Sequence, residues 1–530
     1  MINLVRNQLK KVINREIEIE VFPSEKEAFG HYSTNVAFKL APILSLPDQK
    51  VAPFEVAKKI SDNLKAMGGK EFSKIEAIQP GFINFWISPG ILHSRIKEVL
   101  AGRKKRAGGK GQKINVEFVS ANPTGPLTMA NGRGGFYGDV LANVLEKAGN
   151  KVTREYYVND AGNQIKILGQ SIMASSNFID SEENFYQGGY IKDLAKKLKI
   201  KNKEANFEEV GKKAAAILIK EITKSLKGAS IKHDVWFSED KKLRGKKGLI
   251  NKILMRLIDE GLVIDKDGAK WLKTSDIEDE KDRVLVKSDG QPTYFLADMA
   301  YHYDKFINRK FNLAIDIWGA DHHGYVARLK SGVKALGVNP NRLKIVITQM
   351  VRLMSGGKEI KMSKRTGEFV TMDELIKEVG ADAARFFFLM HSADTHMDFD
   401  LDLAKERSQK NPVYYAQYAY VRALNILRKA KKPQNYNLRL LASPAEMRLM
   451  LELVKLPDLI KLSAEDYQVN RLTKYVLELA RSFHNFYEKE KVVGIEDKEM
   501  GKARLALVSA VKMTMESLFN ILGVGKPSKM

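Results

Sequence analysis

The sequence predicts a multidomain protein that joins α/β and all-α parts. A small α/β domain comes first, a parallel-sheet α/β domain follows, and a helical domain ends the chain. Three observations predict this. From 114 to about 375, short β-rich runs such as INVEFV, KVTREYYV, FNLAIDIWG and LKIVITQMV alternate with helical ones. Such alternation is the pattern of a parallel sheet covered by helices. From about 400 onward glycine is scarce and apolar residues recur at helical spacing, as in an all-helical domain. Before about 100, helical patterns mix with AIQPGFINFWIS, a turn and a strand.

The boundaries follow from composition. AGRKKRAGGKGQK (101–113) is rich in glycine and basic residues and reads as a solvated linker. We therefore expect domains over 1–105, 106–385 and 386–530. Within the second, about 185–260 is Lys/Glu-rich and is expected to be a helical insertion. With 530 residues the chain is long enough for several cores. It has no internal repeat and no low-complexity tract.

Lysine and arginine number 88 against 64 acids, a net charge of +24. That balance suits a polyanion such as nucleic acid, although many basic soluble proteins lack such a partner. The absence of cysteine excludes disulfides, thiolate metal sites and a cysteine nucleophile. MINLVRNQLKKVINREI reads as an amphipathic helix, without the apolar core or cleavage site of a secretory signal. No apolar run looks long enough to span a bilayer. A soluble, cytoplasmic protein with no membrane partner is expected.

GPLTMANGRGG (125–135) sits between INVEFV and FYGDVLANVLEKAG. The expected unit is a strand over 114–119, a helix from about 128 and a strand over 151–158. Phe136, Val140, Leu141, Val144, Leu145 and Ala148 fall on one helix face, and Gly149 ends it. The helix start offers free backbone N–H groups to a phosphate, and Gly132, Gly134 and Gly135 permit close approach. Plain helix packing explains the same residues. Tyr137 stands where a dinucleotide fingerprint needs its third glycine, and no G-K-[ST] loop is present.

Three further clusters carry chemistry. In SGGKEIKMSKRTGEF (355–369), Lys358, Lys361, Lys364 and Arg365 lie between Gly356, Gly357 and Gly367. A cationic loop of this kind can close over a polyphosphate and stabilise a leaving pyrophosphate; a solvated basic turn is the plain alternative. Glu117 interrupts an apolar strand, and Tyr294 and Asp298 share a face of a helix whose first turn suits Pro292. Such acids need a cationic or hydrogen-bonding partner, either an internal arginine or a cationic substrate. Asp321, His322 and His323 close a strand-like run, where open sheets bind ligands. Adjacent histidines rarely point at one ion, so hydrogen bonding to ribose or substrate is favoured and no metal site is expected.

The runs VEFVSANPTGPL and GRGGFYGDVLANVLEKAGNKVTREYYVNDAGNQI closely resemble the catalytic core of bacterial arginyl-tRNA synthetases. So do DGQPTYFLADMAYHYDKF, DIWGADHHGYVARLK and KMSKRTGEFVTMDEL. NPVYYAQYAYVRALNIL resembles that family's helical anticodon-binding domain, and FGHYSTNVAFKLA its N-terminal additional domain. The resemblance covers essentially the whole chain. It implies a class I, Rossmann-like catalytic domain, a tRNA-contacting N-terminal domain and an anticodon-binding C-terminal domain. It also implies arginine, ATP with Mg2+, and tRNA(Arg) as partners, without a structural metal, in a protein we take as a monomer.

By this resemblance the residues matching Glu117, Ser120, Asn122, Tyr294, Asp298 and His322 (or His323) read arginine. ATP would lie among Pro126, Ala130, Gly132, Gly319, Asp321, Gln349, Val351, Met362 and Ser363. Thr128, Asn131, Lys361 and Lys364 would carry the catalysis. Tyr414, Gln417, Tyr418 and Arg422, with Arg428, Lys429, Lys431 and Lys432 after them, would meet tRNA by stacking and charge, although most of these tyrosines also suit a helix core. The implied reaction has two steps, arginyl-adenylate formation and transfer to the tRNA terminus, driven by positioning and charge stabilisation. The family commonly needs tRNA for the first step.

One departure stands out. The family has His-x-Gly-His where this chain has Thr128, Met129, Ala130 and Asn131. Each lost phosphate donor of that kind costs about 3 kcal/mol of transition-state stabilisation. Arg133, Lys361, Lys364 or Arg365 is expected to compensate in a working ligase. The alternative is a weakened or inactive relative that binds RNA on the same scaffold. A smaller departure is Tyr420, where the helical domain often has histidine.

Overall fold

The computed structural model describes residues 1–24, 27–102, 111–201, 204–245, 248–275, 281–360, 370–430 and 434–530. Lys361, Met362, Ser363, Lys364, Arg365, Gly367, Lys431 and Lys432, with most of the expected linker, lie outside them.

The central sheet has five parallel strands in the order Leu343–Thr348, Leu313–Gly319, Lys113–Glu117, Lys151–Val158 and Val235–Ser238. Ile114, Val116 and Ile315 are buried in it. The helix Met129–Lys147 follows the middle strand. It is buried on more than the single face its apolar spacing predicts, because the sheet covers one side and the C-terminal helices another. Phe136 stacks on Phe388 with ring centres 5.8 Å apart, and Asn143 donates to the Ile521 carbonyl at 2.9 Å. Gly138 makes the helix–strand approach possible: a Cβ there would lie 2.3 Å from the Phe118 ring.

Two expected boundaries move. The segment 185–260 contains the helices Gly189–Leu198, Phe207–Gly228 and Leu249–Asp259, but also Val235–Ser238, the edge strand of the central sheet. Its four residues are too few to show against the lysine-rich helices around them. The expected boundary at 385 falls inside the helix Ala381–Leu389, and Met397–Asp400 pairs in parallel with Val351–Ser355. The α/β part therefore continues to about 405 before the helices Pro412–Lys429, Pro444–Asp466, Asn470–Lys489 and Lys498–Leu522 begin.

The last of these is long and apolar enough to cross a membrane by length and composition, against the expectation of no such run. It is packed inside the helical domain, with Val508, Val511, Met515 and Phe519 fully buried. Apolarity here reflects a helix covered by its neighbours. At the other end, a four-stranded antiparallel sheet in the order Phe22–Pro23, Tyr32–Thr34, Phe82–Ile87, Phe72–Ile78 carries the helices Val36–Leu44 and Pro53–Ala66. Its Tyr32 hydroxyl reaches Asp458 of the helical domain at 3.3 Å. Arg385, 1% exposed, ties three regions together: it pairs with Asp139 at 2.6 Å and donates to the carbonyls of Ala229, Ser230 and Leu522.

Candidate active site

The middle strand ends in a strained turn. Val119 and Ser120 have φ of 68° and 37°, a conformation that a β-branched residue avoids. Hydrogen bonds hold it: Ser120 Oγ donates to Glu117 Oε1 at 3.0 Å, and Tyr157 N donates to Ser120 Oγ at 3.0 Å. The other oxygen of Glu117 accepts from Lys305 Nζ at 2.6 Å. The partner that the buried Glu117 requires is therefore an internal lysine, where the sequence left an arginine or a substrate open. Exposed Asn122 faces the Asn159 side chain at 3.2 Å.

On a second segment, Thr293 caps the helix Tyr294–Tyr303 by accepting from Leu296 N. Pro292 lies before the cap, bridged to Val286, and not in the first turn. Tyr294 is exposed, and Asp298 one turn on is half-buried. Tyr325 donates to Asp298 Oδ2 at 2.6 Å, and among the described residues no cation pairs with this carboxylate. Burial pushes its pKa up to about 6, Tyr325 opposes the rise, and the charges of Glu117 and Glu239 add to it. The sequence reading missed Tyr325; its place five residues after Ala320 in the same conspicuous run was the available signal.

A testable pH dependence follows. A guanidinium binds the ionised carboxylate, so arginine affinity is expected to rise from pH 5 to 7 with a midpoint near 6 and then level off. Calorimetric titration at each pH measures it. Folding has the opposite sign. A carboxyl whose folded pKa lies above its unfolded value contributes most stability at low pH and loses that contribution as pH rises to about 6.

The phosphate-turn candidate is a closed capping box. Thr128 Oγ1 accepts from Asn131 N at 3.3 Å and donates to Asn131 Oδ1 at 2.9 Å, which also accepts from Thr128 N at 2.9 Å. The hydroxyl hydrogen of Thr128 is thus committed inside the box. The amide nitrogen of Asn131 is the side-chain donor this turn offers. Met129 N donates to Val370 O and Met372 N to Leu127 O, each at 2.9 Å, so the turn is stitched to the residues that follow 361–369. Pro126 and Ala130 are exposed beside it, whereas Gly132 is buried, and a Cβ there would lie 3.2 Å from the Met372 side chain.

Arg133 does not supply the compensating charge expected of it. It is 2% exposed and donates to four backbone carbonyls, of Gln349, Met350, Ser392 and Thr395, at 2.6–3.3 Å. Burial lowers its pKa to about 10. Its role is to hold the segment Gln349–Val351, which leads into the strand Val351–Ser355. Gly319 ends a central strand, and Asp321 and His322 follow on an exposed 3-10 turn, where their side chains meet at 3.5 Å. Lys358 sits in the two-residue strand Lys358–Glu359.

A cavity of about 630 Å³ opens beside Tyr294 and Tyr325. Arg244, Lys281, Arg283, Lys287 and Arg328 line it, against one acid, Asp282. No group of three or more His, Asp or Glu side chains suited to a metal occurs among the described residues. In the helical domain, Gln417 donates to Asp382 and to the Gly525 carbonyl, at 2.9 and 3.1 Å. Arg422 bonds the Tyr418 hydroxyl and His484 Nδ1, and lies over the rings of Tyr418 and Tyr487. Tyr414 is half-buried nearby, while Tyr420 is buried with its hydroxyl on Glu516.

A five-stranded parallel sheet with a basic cavity beside it, followed by a helical domain, is the arrangement of the class I aminoacyl-tRNA synthetases, which the family match shows. Residues 95–392 match the family description "tRNA synthetases class I (R), catalytic domain", 1–87 "Arginyl tRNA synthetase N terminal domain" and 416–530 "DALR anticodon binding domain". The arginine–tRNA ligase of Carboxydothermus hydrogenoformans is 41% identical, over 97% of this chain and 95% of that protein. The arginine–tRNA ligase of Listeria monocytogenes is 42% identical over 97% and 94%. The fold is also that of Thermus thermophilus arginyl-tRNA synthetase, with a TM-score of 0.81 at 20% identity over 100% of both chains. The chain belongs to the arginyl-tRNA synthetase family.

Proposed function

We propose that the protein activates L-arginine with ATP and ligates it to tRNA(Arg), releasing pyrophosphate and then AMP. The observation that carries the reading is Asp298, a half-buried carboxylate with a hydrogen-bond donor but no cation partner among the described residues. A guanidinium supplies the missing charge. Tyr294 at the mouth, Ser120 and Asn122 opposite, and His322 beyond the sheet edge complete the arginine site, with Glu117 behind Ser120. The arginine carboxylate then attacks the α-phosphate of ATP, and the 3′-terminal hydroxyl of the tRNA displaces AMP.

ATP lies along Pro126, Ala130, Gly132, Gly319, Asp321, Gln349 and Val351, and Met362 and Ser363 are further ATP contacts. Lys361 and Lys364 meet the leaving pyrophosphate, with the Asn131 amide as the donor from the turn and Thr128 as its cap. Mg2+ enters with the triphosphate, which needs no protein cage of carboxylates. Tyr414, Gln417, Tyr418 and Arg422 face tRNA from the helical domain, the N-terminal domain (1–105) adds a second contact, and the protein works as a cytoplasmic monomer. Arginine-dependent ATP–pyrophosphate exchange, with and without tRNA, tests the reading. Exchange is expected with tRNA present; none under either condition would sink it.

A further inference from the structure

Several arginines of the helical domain are answered by carboxylates: Arg471 by Asp466, Arg481 by Glu478, and Arg504 by Glu446 and Glu490. Arg422 is held differently. Its Nη1 donates to His484 Nδ1 at 3.0 Å and its Nη2 to the Tyr418 hydroxyl at 2.9 Å. Its guanidinium carbon lies 4.8 Å from the ring centre of Tyr418 and 5.4 Å from that of Tyr487, an exposed residue. Among the described residues no carboxylate pairs with Arg422. Neutral acceptors and ring faces fix the direction of a guanidinium without cancelling its charge.

An arginine can only donate, so His484 Nδ1 accepts and the ring's proton sits on Nε2. Burial, with the Arg422 charge adding to it, lowers the His484 pKa to about 4, which keeps the ring neutral and able to accept at neutral pH. The ring is 8% exposed, with Tyr415, Tyr418 and Phe483 around it at 5.1, 5.8 and 6.0 Å between centres. Its Nε2 is buried without a partner among the described residues. Packing alone does not account for a histidine here. A phenylalanine would suit the same aromatic setting and bury no unpaired polar nitrogen. What the imidazole adds is one acceptor, and that acceptor is on Arg422. We propose that His484 is a positioning residue for tRNA: its Nδ1 holds the Arg422 guanidinium in place with its charge uncancelled, ready for the polyanion. The proposal rests on the reading that Arg422 faces tRNA.

The test measures equilibrium binding of tRNA(Arg) to the full chain in the parent, His484→Phe, His484→Asn, Arg422→Met and the double variant His484→Phe/Arg422→Met. Arg422→Met is expected to weaken binding about tenfold. His484→Phe keeps the aromatic volume, loses the acceptor and is expected to weaken binding about fivefold. His484→Asn keeps an acceptor near the place of Nδ1 and is expected to stay within about twofold of the parent. The double variant is expected to match Arg422→Met within about twofold, because His484 acts only through that guanidinium. Parent-like binding by His484→Phe would overturn the proposal, as would a double variant weaker than Arg422→Met by the same factor again, or His484→Asn as weak as His484→Phe. If His484→Phe does not fold, His484→Leu takes its place in the cycle and its outcomes are read in the same way. Unchanged binding by Arg422→Met would instead reject the reading that Arg422 meets tRNA.

Discussion

Replacing Asp298 by asparagine is expected to raise the KM for arginine about a thousandfold while making the free protein more stable. Truncating one partner of a buried, hydrogen-bonded charge pair costs about 2–5 kcal/mol, and 4 kcal/mol is roughly three decades of affinity. The opposite sign for stability comes from the empty pocket. Holding a buried carboxylate ionised at neutral pH, when its pKa stands near 6, costs the folded chain roughly 2–3 kcal/mol. Asparagine carries no charge and can still accept from Tyr325. Steady-state charging kinetics and thermal melts at pH 7.5 check the two halves. An affinity loss under tenfold would remove Asp298 from side-chain recognition. A lower melting temperature would show that the carboxylate already has an internal partner.

Arg133→Met is expected to weaken ATP binding strongly and leave arginine affinity within about twofold of the parent, because the sites lie on different segments. The guanidinium holds two stretches, Gln349–Met350 and Ser392–Thr395, through their carbonyls alone. Removing it takes the donor from the Gln349 and Thr395 carbonyls, at about 1–3 kcal/mol each before relaxation, while the Met350 and Ser392 carbonyls keep Met397 N and Thr395 N at 3.3 Å. Relaxation would release the Gln349–Val351 segment assigned to ATP. Binding of ATP and of arginine, measured separately, distinguishes this from phosphate contact: a residue on the triphosphate would lower kcat without destabilising the fold, whereas a carbonyl clamp lowers the denaturation midpoint as well.

The sequence carried more of the fold than of the site. The β-α-β unit around the phosphate turn was legible because strand, glycine turn and helix each leave a local pattern, and the observed strands Lys113–Glu117 and Lys151–Val158 lie where those patterns fall. The edge strand Val235–Ser238 was not legible, since four residues among helices give no period to read. The same limit applied to chemistry. Asp298 could be marked as a buried acid needing a partner from its apolar neighbours alone. That its partner is Tyr325, and that Glu117 is answered by Lys305, depends on which side chains meet across 27 and 188 residues of chain.

Residue type and spacing by themselves determined that this chain has a parallel sheet with a helix start at its carboxyl ends, acids among apolar residues beside it, and a helical domain after it. The resemblance to the family added that Thr128–Asn131 stand where its members have two histidines. Only the tertiary structure decided what each charge does. Arg133 looked free and proved to be bound by four carbonyls, and Thr128 looked like a donor and proved to be a cap whose hydrogen is already committed. Glu117 and Asp298 looked alike, and among the described residues only Glu117 has a cation. A charge acquires its role from the partners within about 3 Å of it, and those are set by sheet register and helix packing, which local sequence does not encode.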